Sequence, residues 1–272
     1  MVKPMAQTLK NRIALKINEY LRPSGVQIVS VNSLRWRDRE LDRLGLLAVL
    51  VASGGARLDL PVALEIVDNS RSQLGQDLFA LASHDFKRGG FFVEFGATDG
   101  LSFSNTYLLE KSFGWTGILA EPGKRWHSKL RANRSVTISN AAVWVSTGEQ
   151  LSFSETNYGE YSTLTAFKNS DNHAPDRQES VDYEVPTISL LDLLDGAGAP
   201  TKIDFLSMDT EGSEWEILQA FDFSRYHFGA ICVEHNYSSQ REKIHALLTL
   251  HGYRRVFTNY SQFDDWYLPA GT

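Results

Sequence analysis

From residue 90 onward, short apolar runs alternate with longer stretches in which apolar residues recur at helical spacing. The apolar runs predict strands at 91–95, 117–121, 135–139, 203–208 and 229–235. Helical patterns follow at 102–113, 123–132, 188–195, 213–221 and 238–250. Strands that alternate with helices are typical of a parallel sheet covered by helices on both faces. The pattern therefore predicts an α/β protein.

Two segments break this alternation. Residues 141–155 follow the third strand and predict a strand pair that turns at 146–148. The segments 253–258 and 264–268 flank a second turn and predict an antiparallel pair that closes the sheet.

A polar segment between the predicted third and fourth strands is much longer than an ordinary connection. It is a predicted loop insertion at 155–185, and it carries Tyr158, Tyr161 and Phe167, with Trp144 shortly before it. Aromatic rings stack on the apolar faces of sugars, so the insertion would form a lid over an acceptor. The same aromatics would equally serve to anchor the insertion to the domain.

The first 70 residues differ in pattern from the rest. Leu9, Ile13 and Ile17 share one face of a predicted helix over 6–20, and residues 26–31 alternate like a strand. We predict a mostly helical N-terminal extension over 1–70, followed by a single domain over 71–272.

Composition and charge restrict the binding partners and the cellular compartment that we expect. The chain has 272 residues, of which 42% are hydrophobic and 22% charged, and a formal net charge of -6. A negative chain has no overall field to hold nucleic acid, so we expect none as a partner. A single cysteine, Cys232, and the lack of a secretory pattern favour the cytoplasm. The longest apolar run, 44–52, is too short to span a membrane.

Candidate ligand-binding residues lie where the first two predicted strands end. The first strand runs into Gly96 and Gly100, and glycines there let a ligand approach the backbone closely. Thr98 replaces a glycine of the dinucleotide motif, which disfavours a nicotinamide cofactor. Glu94 precedes the turn, and Glu121 ends the next strand, where a carboxylate can accept both ribose hydroxyls.

The segments 72–77, 91–122 and 203–218 resemble the FkbM family of S-adenosylmethionine-dependent methyltransferases, and the resemblance extends from about residue 70 to 268. It implies a Rossmann-like seven-stranded methyltransferase sheet with one antiparallel strand and helices on both faces. It also implies O-methylation, often of a sugar or glycolipid hydroxyl. The predicted residues that bind S-adenosylmethionine are Glu94, Gly96, Ala97, Thr98, Gly100, Asn105, Glu121, Pro122, Asn140, Ala141 and Asp209.

Acidic and polar residues follow the fourth and fifth predicted strands, whose ends lie side by side if the strands are neighbours. The catalytic candidates are His235, as the base that takes the hydroxyl proton, with Asp209 and Glu211. Asp209, Glu234 and Asn236 are candidate ligands of Mg²⁺ or another divalent cation, because they offer hard oxygen atoms. The alternatives are structural: acids are favoured in the first turn of a helix, as at Glu211 and Glu214, and a lone histidine often has a structural role.

Three functions remain open at this point. The first is S-adenosylmethionine-dependent methyl transfer to a hydroxyl of a sugar, glycolipid or other polyhydroxylated metabolite, with or without a metal. The second is a nicotinamide-dependent oxidoreductase or epimerase that acts on a sugar, because the same sheet and ribose acid serve both cofactors. The third is a non-catalytic binding module with the same fold. In the first two cases the partner is a small-molecule or glycan substrate.

Overall fold

The computed structural model describes residues 31–54 and 58–271. The chain divides into two compact units between Gly45 and Leu46. The predicted helix over 6–20 and the strand over 26–31 lie outside the described residues, apart from Val31, which begins a helix. None of the helices in the described ranges is long and apolar enough to cross a membrane. The division of the chain at residue 70 stays a prediction.

Eight α-helices and eleven strands are found within the described residues. Before the sheet come α1 (Val31–Gly54), α2 (Leu60–Asn69) and α3 (Gln76–Ala82). Then follow β1 (Phe91–Phe95), α4 (Tyr107–Phe113), β2 (Thr116–Ala120), α5 (His127–Asn133), β3 (Thr137–Ser139), β4 (Ala142–Trp144), β5 (Gln150–Thr156), β6 (Thr163–Leu164), β7 (Ser180–Ser189) and α6 (Leu190–Gly196). The chain ends with β8 (Lys202–Met208), α7 (Glu214–Ala220), β9 (His227–Glu234), α8 (Arg241–Leu250), β10 (Tyr253–Val256) and β11 (Asp264–Pro269).

The main sheet has seven strands in the order β10-β11-β9-β8-β1-β2-β3. Strands β3, β2, β1, β8 and β9 are parallel, and β11 is antiparallel to both β9 and β10. This arrangement confirms the predicted seven-stranded sheet with one antiparallel strand. It places the carboxyl ends of β2, β1, β8 and β9 side by side, which is where ligands bind in open α/β sheets.

Apolar side chains hold helices to both faces of the sheet. On one face, side chains of the strands pack with those of α6, α7 and α8; the cluster includes Val93, Ile118, Leu206, Ile231, Leu194, Leu218 and Leu248. On the other face α3 is buried along its whole length, and the ring of Phe79 stacks on that of Trp266 with centroids 4.9 Å apart. Burial on both faces explains why the central strands are apolar throughout rather than alternating.

The strand pair predicted over 141–155 is wrong, because β4 and β5 do not pair with each other. Both pair with β7, which lies between them in a four-stranded sheet of order β4-β7-β5-β6. The turn at 146–149 is bound to β7 instead: Gly148 N donates to Thr187 O, and the Thr187 hydroxyl donates to Ser146 O. A partner 41 residues further along the chain could not be predicted from the local sequence pattern.

The segment predicted as a loop insertion is largely ordered. It contains the end of β5, then β6, 3₁₀ turns at Thr165–Phe167 and Ala174–Arg177, and the first half of β7. Helix α6 begins at Leu190, two residues later than predicted, because Ser189 caps it by accepting a hydrogen bond from Asp192 N. We call residues 157–179 the insert from here on.

Candidate active site

A cavity of about 340 Å³ opens at the carboxyl ends of β1, β2, β8 and β9. The turn after β1 and the end of β2 line one part of it, and the ends of β8 and β9 line another. The insert, Gln73, Leu74, residues 102–105, strands β4 and β5, and Phe263 also contribute to the wall. The predicted cofactor turn and the predicted acidic residues therefore meet at one cavity.

Gly96 allows two loops at this cavity to touch. Its φ is +71°, and a Cβ atom added there would lie 1.9 Å from the carbonyl oxygen of Asp209. A larger residue would therefore separate the turn after β1 from the end of β8. Thr98 also has a positive φ, +45°, which is unusual for a non-glycine residue and is held by a bond from Thr98 N to Glu121.

Glu121 is buried at the end of β2, and its carboxyl group faces the cavity. Its two oxygens accept hydrogen bonds from Thr98 N at 2.8 Å and Gly123 N at 2.7 Å. Burial raises the pKa of Glu121 to about 7, although both backbone bonds favour the ionised form. Each oxygen has used one lone pair, so each can still accept a hydrogen bond from a ribose hydroxyl.

Glu94 lines the cavity and holds the segment 104–106 in place by hydrogen bonds. Its carboxylate accepts bonds from Asn105 N at 2.7 Å and from the hydroxyls of Ser104 and Thr106, and Arg134 lies 3.6 Å away. These contacts hold residues 104–106 outside the helix, so α4 begins at Tyr107, five residues later than predicted. Asn105 donates its amide to Ser207, whereas its buried Oδ1 has no partner among the described residues.

Not every predicted cofactor residue reaches the cavity. Ala97, Thr98 and Pro122 line it together with Glu94, Gly96, Asn105, Glu121 and Asp209. Gly100 packs instead against Leu130 and Arg134, which leave no room for a Cβ atom. Asn140 and Ala141 lie outside the lining, and the Asn140 amide bonds to the ring of His127.

Three carboxyl groups meet at the other end of the cavity, and we call Asp209, Glu211 and Glu234 the acid triad. One oxygen from each lies within 4.8 Å of the others. Burial raises the pKa of all three, to about 7 for Asp209, and mutual repulsion adds to the effect at Glu211 and Glu234. Carboxyl groups this close hold a proton more tightly than an isolated one, because protonation of one relieves the repulsion between them.

Glu211 differs from the other two because a cation binds it. The fully buried Arg177 of the insert donates to Glu211 Oε2 at 2.6 Å and forms two bonds to Asp171 at 2.8 and 2.9 Å. Asn236 also donates its amide to Glu211 Oε2, at 3.2 Å. Arg177 and Asp171 were not predicted, because nothing in a polar segment distinguishes them from surface residues.

His235 is not brought to this cavity. The side chain lies in a small separate cavity behind the acid triad, with its Nε2 3.8 Å from Asp265 Oδ1 and its Nδ1 accepting a bond from Tyr237 N. Burial lowers the pKa of His235, although Asp265 opposes the shift. The ring is therefore neutral near pH 7 and faces away from the cavity that holds Asp209.

Glu214 has a structural role in this geometry. Its carboxylate accepts bonds from Thr210 N, the Thr210 hydroxyl and Gly212 N, and so fixes the turn between β8 and α7. Three of the four aromatics singled out in the sequence belong to the insert and differ in placement: Tyr158 is exposed, whereas Tyr161 and Phe167 are packed. Tyr161 lines the cavity with His173, and their rings stack 4.4 Å apart, whereas Phe167 packs edge-on against Trp144 outside it.

Comparison with known proteins gives a family for this arrangement. The family model described as Methyltransferase FkbM domain matches residues 94–255, which include both ends of the cavity. The chain belongs to the FkbM methyltransferase family. It is similar in fold to the FkbM methyltransferase of Methylobacillus flagellatus, at 13% identity and a TM-score of 0.41, over 85% of this chain and 59% of that one. No curated protein gives a significant match.

A second solved structure is also similar in fold. It is the precorrin-6y C5,15-methyltransferase of Geobacter metallireducens, at 13% identity and a TM-score of 0.39, over 71% of this chain and 85% of that one. Membership of the FkbM family favours a methyl donor over the nicotinamide alternative, because it is a methyltransferase family.

Proposed function

We propose that this FkbM protein is an S-adenosylmethionine-dependent O-methyltransferase that acts on a hydroxyl of a sugar, a glycolipid or another polyhydroxylated metabolite. The observation that carries the proposal is that Glu121 and the acid triad open onto one cavity. A ribose-binding carboxylate and a group that accepts a hydroxyl proton are the two things such a reaction requires of the protein.

The residues at the β1 and β2 end fit the cofactor. Glu121 has free lone pairs for both ribose hydroxyls. The buried and unpartnered Oδ1 of Asn105 fits the ammonium group of the methionine part, because a buried acceptor without a donor is costly. Bound S-adenosylmethionine supplies a methyl group on a sulfonium, which is already an excellent leaving group.

The protein's remaining task is to orient the acceptor oxygen and remove its proton. We assign Asp209 as the base that takes the acceptor's proton, because it lies beside Glu234 in the acid triad and burial raises its pKa to about 7. A base whose pKa lies near the working pH is suited to this role. Arg177 holds Glu211 in place beside this pair, so Glu211 helps to position the acceptor. His235 is the less suitable base because it faces Asp265.

A metal-assisted form of the reaction is a second candidate, favoured by the closeness of the triad oxygens. Carboxylate and amide oxygens suit Mg²⁺ or Ca²⁺. Because Arg177 already binds Glu211, the residues that would hold the ion are Asp209, Glu234 and Asn236. The ion would lower the pKa of a bound hydroxyl and remove the repulsion between the carboxylates.

Calorimetric titration with S-adenosylhomocysteine tests the cofactor site directly. Glu121→Gln should weaken binding by about 10- to 100-fold, because the hydrogen bonds to a charged acceptor are lost. Glu149→Gln is the matched control, since Glu149 is exposed at the 146–149 turn and should change nothing. Transfer of a labelled methyl group to a panel of polyols then tests the acceptor class. A folded wild type that binds no S-adenosylhomocysteine would favour the non-catalytic alternative.

A further inference from the structure

The ionisable side chains that line the cavity are almost all acidic. Its lining contains six carboxyl side chains, those of Glu94, Glu121, Glu160, Asp209, Glu211 and Glu234. No lysine or arginine is among the lining residues in the part of the chain that the structure describes, and the only basic side chain there is that of His173. An anion entering this cavity would find carboxyl groups at both ends and another on the insert, and among the described lining residues only His173 could offer it a positive charge.

Two arginines lie just behind the lining, and each already uses four of its five N–H groups. Arg177 uses its Nε on Tyr161 O and its two terminal nitrogens on Asp171 and Glu211. Arg134 uses its Nε on Glu110 and its terminal nitrogens on Gly100 O, Ser104 and Thr106. Arginine recognises phosphate and carboxylate through a free pair of N–H groups, and no such pair faces the cavity.

The groups at the acceptor end are mainly hydrogen-bond acceptors. The carboxyl groups of Asp209 and Glu234 lie close together there and present oxygens that can accept hydrogen bonds from hydroxyl groups. The stacked rings of Tyr161 and His173 add an apolar surface on the wall that belongs to the insert. Neighbouring hydroxyl groups on a ring with an apolar face match both features. A phosphate or carboxylate matches neither.

We propose that the acceptor end admits uncharged polyhydroxylated molecules and rejects those with a phosphate or carboxylate near the methylated hydroxyl. This inference rests on the proposed methyl-transfer function and names its substrate class more narrowly. It would exclude sugar phosphates, nucleotide sugars that place their diphosphate in the cavity, and uronic acids. Discrimination would come from like-charge repulsion by the wall, which is costly in a partly desolvated site.

The test measures binding of matched sugar probes to the full-length protein, with S-adenosylhomocysteine present and with EDTA to remove metals. The probes are the methyl glycosides of glucose and galactose, the 6-phosphates of the same sugars and the corresponding uronates. Saturation-transfer NMR gives the relative affinities at millimolar concentration. We expect at least one neutral glycoside to bind, and each of its anionic partners to bind about tenfold more weakly or worse.

Two variants separate wall charge from other causes. Glu160→Gln removes a negative charge from the insert wall, outside the acid triad, and should reduce the preference for the neutral probe severalfold. Glu184→Gln removes a charge from the exposed face of β7, away from the cavity lining, and should leave the preference unchanged. Equal effects of the two substitutions would show that the discrimination does not arise in the cavity.

Three results would overturn the inference. They are an anionic probe that binds as tightly as its neutral partner, failure of every neutral probe to bind, and anion binding that appears when Mg²⁺ replaces EDTA. The last would mean that a metal supplies the missing positive charge. Each of these can occur while S-adenosylhomocysteine still binds, whereas loss of that binding would count against the proposed function itself.

Discussion

Arg177 and Glu211 form an ion pair that is buried on both sides, with Nη2 2.6 Å from Oε2, and that joins the insert to the loop after β8. Asp171 completes it through two further bonds to the guanidinium. Removing one partner of such a network leaves a buried charge without compensation. The insert therefore depends on this contact for its position beside the acid triad.

Replacing Arg177 should destabilise the protein strongly. We expect Arg177→Met to lower the free energy of unfolding by about 3–5 kcal/mol, because Asp171 and Glu211 lose their counter-ion. Urea denaturation measures the change. Arg225→Met is the control, since Arg225 pairs with Asp195 at the surface and should cost about 1 kcal/mol or less. Similar losses in the two variants would mean that the buried pair contributes no more than a surface pair.

Cofactor binding should depend on pH through Glu121. Its pKa of about 7 in the free protein means that the carboxyl group is partly protonated at neutral pH. Ribose hydroxyls donate to the ionised form, so affinity for S-adenosylhomocysteine should fall as the pH drops below about 7, by up to tenfold per unit. In Glu121→Gln this dependence should be lost. Calorimetry at several pH values measures this affinity in both proteins. The same pH dependence in the variant as in the wild type would mean that another group titrates.

Substitution should separate Asp209 from His235 as the base. Asp209→Asn should reduce the rate of methyl transfer by about 10²–10⁴, the usual contribution of a well-placed base. His235→Gln should leave the rate within severalfold of the wild type, because His235 faces Asp265 behind the cavity. Single-turnover transfer to the best acceptor of the polyol panel provides the measurement. A larger loss in His235→Gln than in Asp209→Asn would return the role of base to the histidine.

The placements that could be predicted from the sequence are those that follow from strand ends. Glu121, Asp209 and Glu234 each end a parallel strand or follow one directly, so the sheet order alone brings them to one edge. The placement of His235 could not be predicted in this way. Just after it, Asn236 and Tyr237 have positive φ angles, and this local turn decides where the ring points.

Contacts between distant segments were also beyond the sequence pattern. Arg177 bonds to Glu211 across 34 residues, and the 146–149 turn bonds to Thr187 across about 40. Such partners are chosen by tertiary packing, and they leave no periodicity in the sequence. For the same reason the segment 155–185 was predicted as a loop, although it contains the first half of β7.

Stability should fall as the pH rises because of Asp264. Burial raises the pKa of Asp264 to about 8, whereas the unfolded value is about 4. The folded state holds the proton more tightly, so this contribution to stability is complete below about pH 4 and is lost as the pH rises to about 8. Between about pH 5 and pH 8 the wild type should therefore lose about 3–4 kcal/mol more stability than Asp264→Asn.

Asn at position 264 can still accept the bond that Gln76 Nε2 makes to Asp264 at 2.8 Å, so the fold should be retained. Urea denaturation at the two pH values measures the difference. Asp222→Asn serves as the control, because Asp222 is exposed and its pKa is lowered by bonds from Ser224, so it is ionised throughout this range. An Asp264→Asn variant with the wild-type pH dependence would assign the effect to other buried carboxyl groups.

Removal of metal ions tests the second candidate mechanism. If Asp209, Glu234 and Asn236 hold an ion, EDTA should abolish methyl transfer, and Mg²⁺, Mn²⁺ or Ca²⁺ should restore it. Asp209→Asn should then lose the response to added metal, because a carboxylate ligand is replaced by a neutral amide. Without an ion, Arg177 already offsets the charge of Glu211 within the acid triad. Transfer that continues after exhaustive EDTA treatment would therefore leave Asp209 as an unassisted base.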